Sequence, residues 1–252
     1  MAAANPTDLA ERTALVTGGA RRLGRAMVET LAAGGARVVV HYGSSEDEAN
    51  QLVDTLRRQG RLACALKADL ADASCAESLL GEAADLVGRP IDVLINNASI
   101  FPADTPADVT PESLATNMQI HAMAPLSLTR AMAKGCKRGD VINMIDARVV
   151  DYDRQHASYH LSKRTLATLT KMLARELAPS VRVNGICPGL ILPPPGQDER
   201  YLEDLAHTNP LNAHGRCDDI TRAMLFLLKS PFVTGQLLFI DGGRHLKGRM
   251  YE

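Results

Sequence analysis

Ala14-Leu15-Val16-Thr17-Gly18-Gly19-Ala20-Arg21-Arg22-Leu23-Gly24 reads as an apolar strand that runs into a glycine-rich turn and then into a helix starting near Arg22. A turn of this kind lets backbone N–H groups approach a pyrophosphate, and the positive end of the following helix favours the negative charge. Strand, turn and helix stand in the order that gives a glycine pattern its meaning. The bland alternative is an ordinary strand-to-helix connection.

Outward from this stretch, apolar runs of strand length alternate with longer amphipathic segments. Strands are expected at about 13–17, 36–41, 62–67, 91–96, 140–145, 180–186 and 237–241, and helices at about 22–33, 46–59, 74–87, 111–134, 154–177 and 217–229. Such alternation predicts a parallel sheet covered on both faces, an α/β doubly wound fold of Rossmann type that places ligands at the carboxyl ends of the strands. Thr17-Gly18, Asp69, Asn97, Asp146 and Pro188-Gly189 each follow an expected strand end. The 252 residues suit one domain, 1–252, with a proline-rich substrate loop at about 190–212.

Bulk properties narrow the field. A formal net charge of −1 gives no electrostatic case for nucleic acid or an anionic membrane. No apolar run is long enough for a membrane span, and Met1 to Asp8 lacks a signal-peptide pattern. The five scattered cysteines have no metal-ligand spacing and fit reduced thiols in a cytoplasmic protein, with no metal expected.

Tyr159 and Lys163 lie four apart in Ser158-Tyr159-His160-Leu161-Ser162-Lys163, and so share a helix face. An ammonium beside a phenol favours the tyrosinate, which predicts a lowered tyrosine pKa and a usable general acid. Asp146 lies thirteen residues earlier.

Thr17-Gly18 to Gly24, Asn96-Asn97-Ala98-Ser99, Tyr159 to Lys163, Pro188-Gly189 and Asp241-Gly242-Gly243 together resemble the short-chain dehydrogenase/reductase family over nearly the whole chain. The resemblance implies an NADP-binding oxidoreductase. It places Gly18, Arg21, Arg22, Leu23, Gly24, His41, Ser44, Ser45, Asp69, Leu70, Asn97, Ala98, Ser99, Tyr159, Lys163, Pro188 and Gly189 around the cofactor. After the second strand the chain has His41-Tyr42-Gly43-Ser44-Ser45, with no acid before Glu46. An acid there would accept from the ribose hydroxyls and repel a 2′-phosphate. Its absence, with Arg21 and Arg22 nearby, favours NADPH. Ser44 and Ser45 also read as caps for the next helix.

Three departures refine the resemblance. The family's carbonyl-polarising serine is Asp146, which when ionised accepts hydrogen bonds and does not donate them. The middle glycine of the turn is Arg22, and Ser99 is followed by Ile100-Phe101. These features resemble the pteridine reductases, and further the bacterial dihydromonapterin reductases, through Met118-Gln119-Ile120-His121, Pro125 and Asp241-Gly242-Gly243-Arg244-His245-Leu246. That subgroup implies a pterin substrate held by Arg22, Phe101, Asp146 and Tyr159, with Phe101 stacking on the flat ring. Dihydrofolate is a further candidate substrate. Tyr159, Lys163, Asp146 and His121 are the catalytic candidates, His121 taking the place of a family asparagine that holds a water near the lysine. For Asp146 the plainer reading is a strand-end cap; for Phe101, ordinary packing; for His121, a partly buried helix histidine without a role. The family implies a homotetramer built on the helices at 111–134 and 154–177. Alternatives are a ketone reductase such as a 3-oxoacyl-carrier-protein reductase, and a non-catalytic NADP-binding sensor.

Overall fold

A computed structural model describes residues 9–151, 154–194 and 196–246. Met1 to Asp8, which lack a signal-peptide pattern, and Lys247 to Glu252 lie outside the described residues. Seven parallel strands form one sheet in the order β3-β2-β1-β4-β5-β6-β7. They are β1 (Thr13–Val16), β2 (Arg37–Tyr42), β3 (Ala63–Lys67), β4 (Val93–Asn96), β5 (Gly139–Met144), β6 (Val181–Pro188) and β7 (Leu237–Ile240). The helices are α1 (Arg22–Ala33), α2 (Glu46–Arg58), α3 (Ala73–Val87), α4 (Pro111–Met118), α5 (Ala124–Gly135), α6 (Ala157–Glu176), α7 (Glu199–Asp204) and α8 (Cys217–Lys229).

The sheet is buried on both faces because its strands are apolar at successive positions. Val16, Val40, Ile95 and Ile142 belong to a core shared with α1, α2 and α8, whereas their neighbours Leu15, Val39, Leu94 and Val141 belong to one shared with α3, α5 and α6. Alternation of side chains along a strand sends these two sets to opposite faces. Strand order reverses between β1 and β4, which opens a crevice beyond their carboxyl ends.

The helix expected at 111–134 is interrupted by a π-helical turn, Gln119–Met123. Pro125 supplies the cause: it has no N–H, and its ring crowds the carbonyl four residues back, that of His121. The N–H of Ala124 instead reaches Gln119 O, one residue further than in an α-helix. The helix expected from 154 begins at Ala157, because His156 stands in the left-handed region at φ 60°. α7 lies within the segment read from sequence as the substrate loop.

Among the described residues no helix is long and apolar enough to cross a membrane.

Candidate active site

The glycine-rich turn is locked from β4. Thr17 Oγ1 accepts from the N–H groups of Asn97 (2.9 Å) and Ala98 (3.0 Å). Asn97 Nδ2 donates to the carbonyls of Thr17 (2.9 Å) and Gly18 (3.1 Å). Gly18 has φ 61°, and a Cβ on Gly24 would lie 2.1 Å from Gly18 O, so the turn closes only with glycine at both places. Arg22 keeps the left-handed conformation at φ 53° although it carries a side chain. Such backbone costs roughly 1 kcal/mol and marks a position that its surroundings over-determine.

A cleft of about 430 Å³ runs past this turn between the ends of β1, β2, β3 and β4. Gly18, Arg21, Arg22, Leu23, Gly24, Ser44, Ser45, Asp69, Leu70, Asn97, Ala98 and Ser99 all face it. Neither α1 nor α2 is capped by a side chain; Ser45, read as a possible cap, makes no such bond. The first N–H groups of both helices are therefore open to an anion. Arg21 pairs with Glu48 at 3.2 Å, an exposed contact of the kind that contributes little and exchanges readily.

His41 also borders the cleft, yet its ring is spent on the fold. Nδ1 accepts from the N–H of Gly18 (3.1 Å), and Nε2 lies 3.1 Å from Ala68 O, so Nε2 carries the proton. Burial pushes its pKa down to about 4, so the neutral ring holds the turn to the end of β3.

A second cavity, about 280 Å³, adjoins the cleft and shares Arg22, Leu23, Asn97 and Ser99 with it. Asp146, Tyr159, Lys163, Pro188 and Gly189 line its far side. Asp146 follows β5 and does two things at once. Oδ1 accepts from Arg148 N at 2.7 Å and caps a short 3-10 turn, while Oδ2 accepts from the Tyr159 hydroxyl at 2.8 Å. Each oxygen keeps a further lone pair for another donor.

Lys163 is buried, and its Nζ donates to Met144 O at 2.7 Å. It lies 5.6 Å from the Tyr159 ring centroid. The expected lowering of the tyrosine pKa is corrected here. Burial, then the charge of Asp146 and its hydrogen bond, push the phenol well above its ordinary value. Burial pushes Lys163 down to about 8, against the attraction of Asp146. Burial and the carboxylate in direct contact outweigh the charge of Arg148, which pulls the other way.

His121, at the π turn, also differs from expectation. Nε2 accepts from Ile100 N (3.1 Å) and lies 3.0 Å from Ser99 Oγ, while Nδ1 is 2.8 Å from Ser162 Oγ. No ring nitrogen remains for a water beside Lys163. Burial, with the charge of Lys163, lowers its pKa to about 2. His121 ties the Ser99-Ile100 loop to α6.

Phe101 stands against Tyr159, edge to face at a 4.6 Å centroid separation, and is 58% exposed. It lines neither cavity. Sequence reasoning overlooked two residues that place it, His156 and Asp104. Asp104 accepts from Ser158 N at 3.0 Å and from the hydroxyls of Ser113 and Ser158, joining the Phe101 loop to α4 and to the start of α6. The signal available was Thr110-Pro111, a cap and a proline at a helix start, and sequence spacing alone connects neither it nor Asp104 to α6.

A family model described as enoyl-(acyl carrier protein) reductase, within the short-chain dehydrogenase/reductases, matches residues 18–245. The chain belongs to the short-chain dehydrogenase/reductase family. This short-chain oxidoreductase is 32% identical over 243 residues to the dihydromonapterin reductase of Enterobacter sp. (strain 638), covering 94% of this chain and 98% of that one. It is equally 32% identical over 251 residues to a granaticin polyketide synthase protein of Streptomyces violaceoruber named as a ketoacyl reductase, covering 95% and 99%. Among solved structures, FolM alternative dihydrofolate reductase 1 from Brucella canis, complexed with NADP, superposes with a TM-score of 0.92 at 34% identity, covering 98% of each chain. These similarities support a FolM-like member of the family.

Proposed function

We propose that this chain is an NADPH-dependent reductase of a dihydropterin. One observation carries the reading: the position of the family's carbonyl-polarising hydroxyl holds the carboxylate of Asp146, bonded to the Tyr159 phenol. A carboxylate does not polarise a ketone by donation, but it accepts from the amino and ring N–H groups of a pterin. The names of equally similar relatives divide between pterin and ketoacyl reduction; Asp146 favours the first. Dihydromonapterin is the substrate proposed, with dihydrofolate second.

The cleft fits the cofactor. Its glycine turn and open α1 N-terminus suit a pyrophosphate, and Ser44, Ser45 and Arg21 suit a 2′-phosphate, no acid standing between β2 and Glu46. Asp69 and Leu70 border the adenine end. Pro188, Gly189 and Lys163 border the nicotinamide end. When bound, the cofactor supplies a hydride to a ring C=N carbon.

The protein's own residues then handle the proton. Tyr159 holds it at Oη, kept there by burial and by Asp146. When pterin N–H groups donate to Asp146, they offset the negative field that raises the phenol's pKa, and Tyr159 becomes the better acid. It gives its proton to the ring nitrogen beside the reduced carbon. Lys163 supplies positive charge behind the phenol, Arg22 joins the two cavities, and His121 acts by positioning the Ser99-Ile100 loop. Family resemblance further suggests one domain over 1–252, a homotetramer packed through α4, α5 and α6, and a cytoplasmic enzyme.

The test is NADPH oxidation by the purified protein with dihydromonapterin, with an acetoacetyl thioester, or with nothing added. The reading expects turnover with the first alone. Turnover confined to the thioester would overturn it.

A further inference from the structure

His156 is the residue just before α6, three positions ahead of Tyr159, and has no part in the chemistry described above. Its geometry is unusual in three respects. The backbone is left-handed at φ 60° without glycine. The ring lies flat on Phe101, with centroids 3.6 Å apart and planes 18° from parallel. Nδ1 lies 2.6 Å from Pro102 O, and since a carbonyl only accepts, Nδ1 carries a proton and donates. Strained backbone persists where surrounding contacts over-determine it, and both contacts here go to one short stretch, Phe101-Pro102.

The backbone on either side of this stretch is anchored, but the Phe101 side chain has little other support. Phe101 is more than half exposed, and its other ring contact is edge-on to Tyr159. An exposed phenylalanine on a loop would sample several rotamers. With His156 against one face, only the opposite face remains for a planar ligand. With Tyr159 at 4.6 Å, Phe101 is registered to the proton donor. The loop is tied to the same helix start a second time, through Asp104 to Ser158 N and Ala157 N to Asp104 O (3.1 Å).

We infer that His156 is a positioning residue for substrate selection: its ring and its bond to Pro102 hold Phe101 as a one-sided stacking platform, in register with Tyr159. The ligand class is a flat heteroaromatic ring, so the inference rests on the pterin reading for the ring's identity but not for the platform itself. Stacking onto a fixed ring spares the cost of ordering it on binding, and the gain is read in affinity.

Two measurements decide it. The chain contains no tryptophan, so Phe101→Trp creates a single fluorescent reporter at the platform. Adding His156→Asn keeps a side chain tolerant of the left-handed backbone and able to donate to Pro102 O, but removes the ring. The expected result is a lower steady-state anisotropy of the introduced indole without any ligand; an unchanged anisotropy overturns the inference. In the otherwise wild-type enzyme, His156→Asn should raise KM for dihydropterin roughly three- to tenfold, the scale of one aromatic contact. The rise should exceed any fall in kcat, with Kd for NADPH unmoved. His156→Phe, which restores a flat ring but not the donor to Pro102 O, should recover part of the loss. An unaltered KM, or equal loss in both variants, overturns the inference. If the wild type does not reduce dihydropterin at all, the pterin reading fails, and the anisotropy alone decides the role of His156.

Discussion

The Tyr159 hydroxyl donates to Oδ2 of Asp146 at 2.8 Å, and the charge of that carboxylate, with burial, holds the phenol well above its ordinary pKa. The tyrosine is therefore a stored proton beside an acceptor, not a tyrosinate beside an ammonium. In the proposed mechanism, donation to Asp146 by a bound ring lowers the phenol's pKa and readies that proton for transfer.

Tyr159→Phe removes the stored proton and leaves the glycine turn untouched. Turnover of dihydropterin should fall by about 10²- to 10⁴-fold, the usual scale of general acid catalysis. NADPH affinity, read by cofactor fluorescence titration, should stay within about twofold. A Tyr159→Phe enzyme with undiminished turnover would contradict the assignment.

Lys163 is an ammonium below about pH 8 and a neutral amine above it. Activity that needs its charge is thus present below that pH and lost as pH rises through it. Because Tyr159 titrates far higher, an alkaline limb near 8 belongs to the lysine. Lys163→Arg, whose guanidinium stays charged, should remove the limb while lowering the rate. A wild-type kcat/KM profile flat to about pH 9.5 speaks against this role.

His41 and His121 are held neutral, with pKa values lowered to about 4 and about 2 mainly by burial. In the unfolded chain both titrate near 6.5. Below that pH the unfolded state binds protons that the folded state refuses, so stability falls as pH falls, by up to roughly 1.4 kcal/mol per pH unit for each histidine. Thermal unfolding followed from pH 7.5 to 5 should show this decline, and His121→Asn should flatten it. Equal slopes in wild type and variant would show that His121 is not the proton-refusing group.

Ser44→Asp puts a carboxylate where a 2′-phosphate is proposed to sit. KM for NADPH should rise by about tenfold or more, since an added like charge costs on the order of 1–2 kcal/mol at a partly exposed site, and NADH should gain relative to NADPH. A wild type that uses both cofactors equally well would refute the phosphate site.

Much of this was legible in sequence because it depends on local patterns. The buried strands are continuous apolar runs such as Val38-Val39-Val40, and all seven fall within two residues of their expected places. The turn from Thr17 to Gly24 and the carboxylate at Asp146 follow from spacing. What escaped depends on contacts between distant segments. Pro125 signals a helix interruption only once its clash with the His121 carbonyl is considered. The Tyr159 pKa could not be signed without knowing that Asp146 touches the hydroxyl while Lys163 faces Met144 O. His156 and Asp104 matter through contacts 54 residues apart in the chain, a separation that no periodicity encodes.

The most direct test of the account is Asp146→Ser, assayed beside wild type at saturating NADPH with dihydropterin and with a small ketone. Serine restores a hydroxyl donor and removes the acceptor for pterin N–H groups. Charge-assisted bonds of this kind contribute about 1.5–3 kcal/mol, so dihydropterin reduction should fall roughly tenfold to a few hundredfold, with ketone reduction unchanged or raised. Pterin turnover undiminished in Asp146→Ser, or a wild type that prefers the ketone, would contradict it.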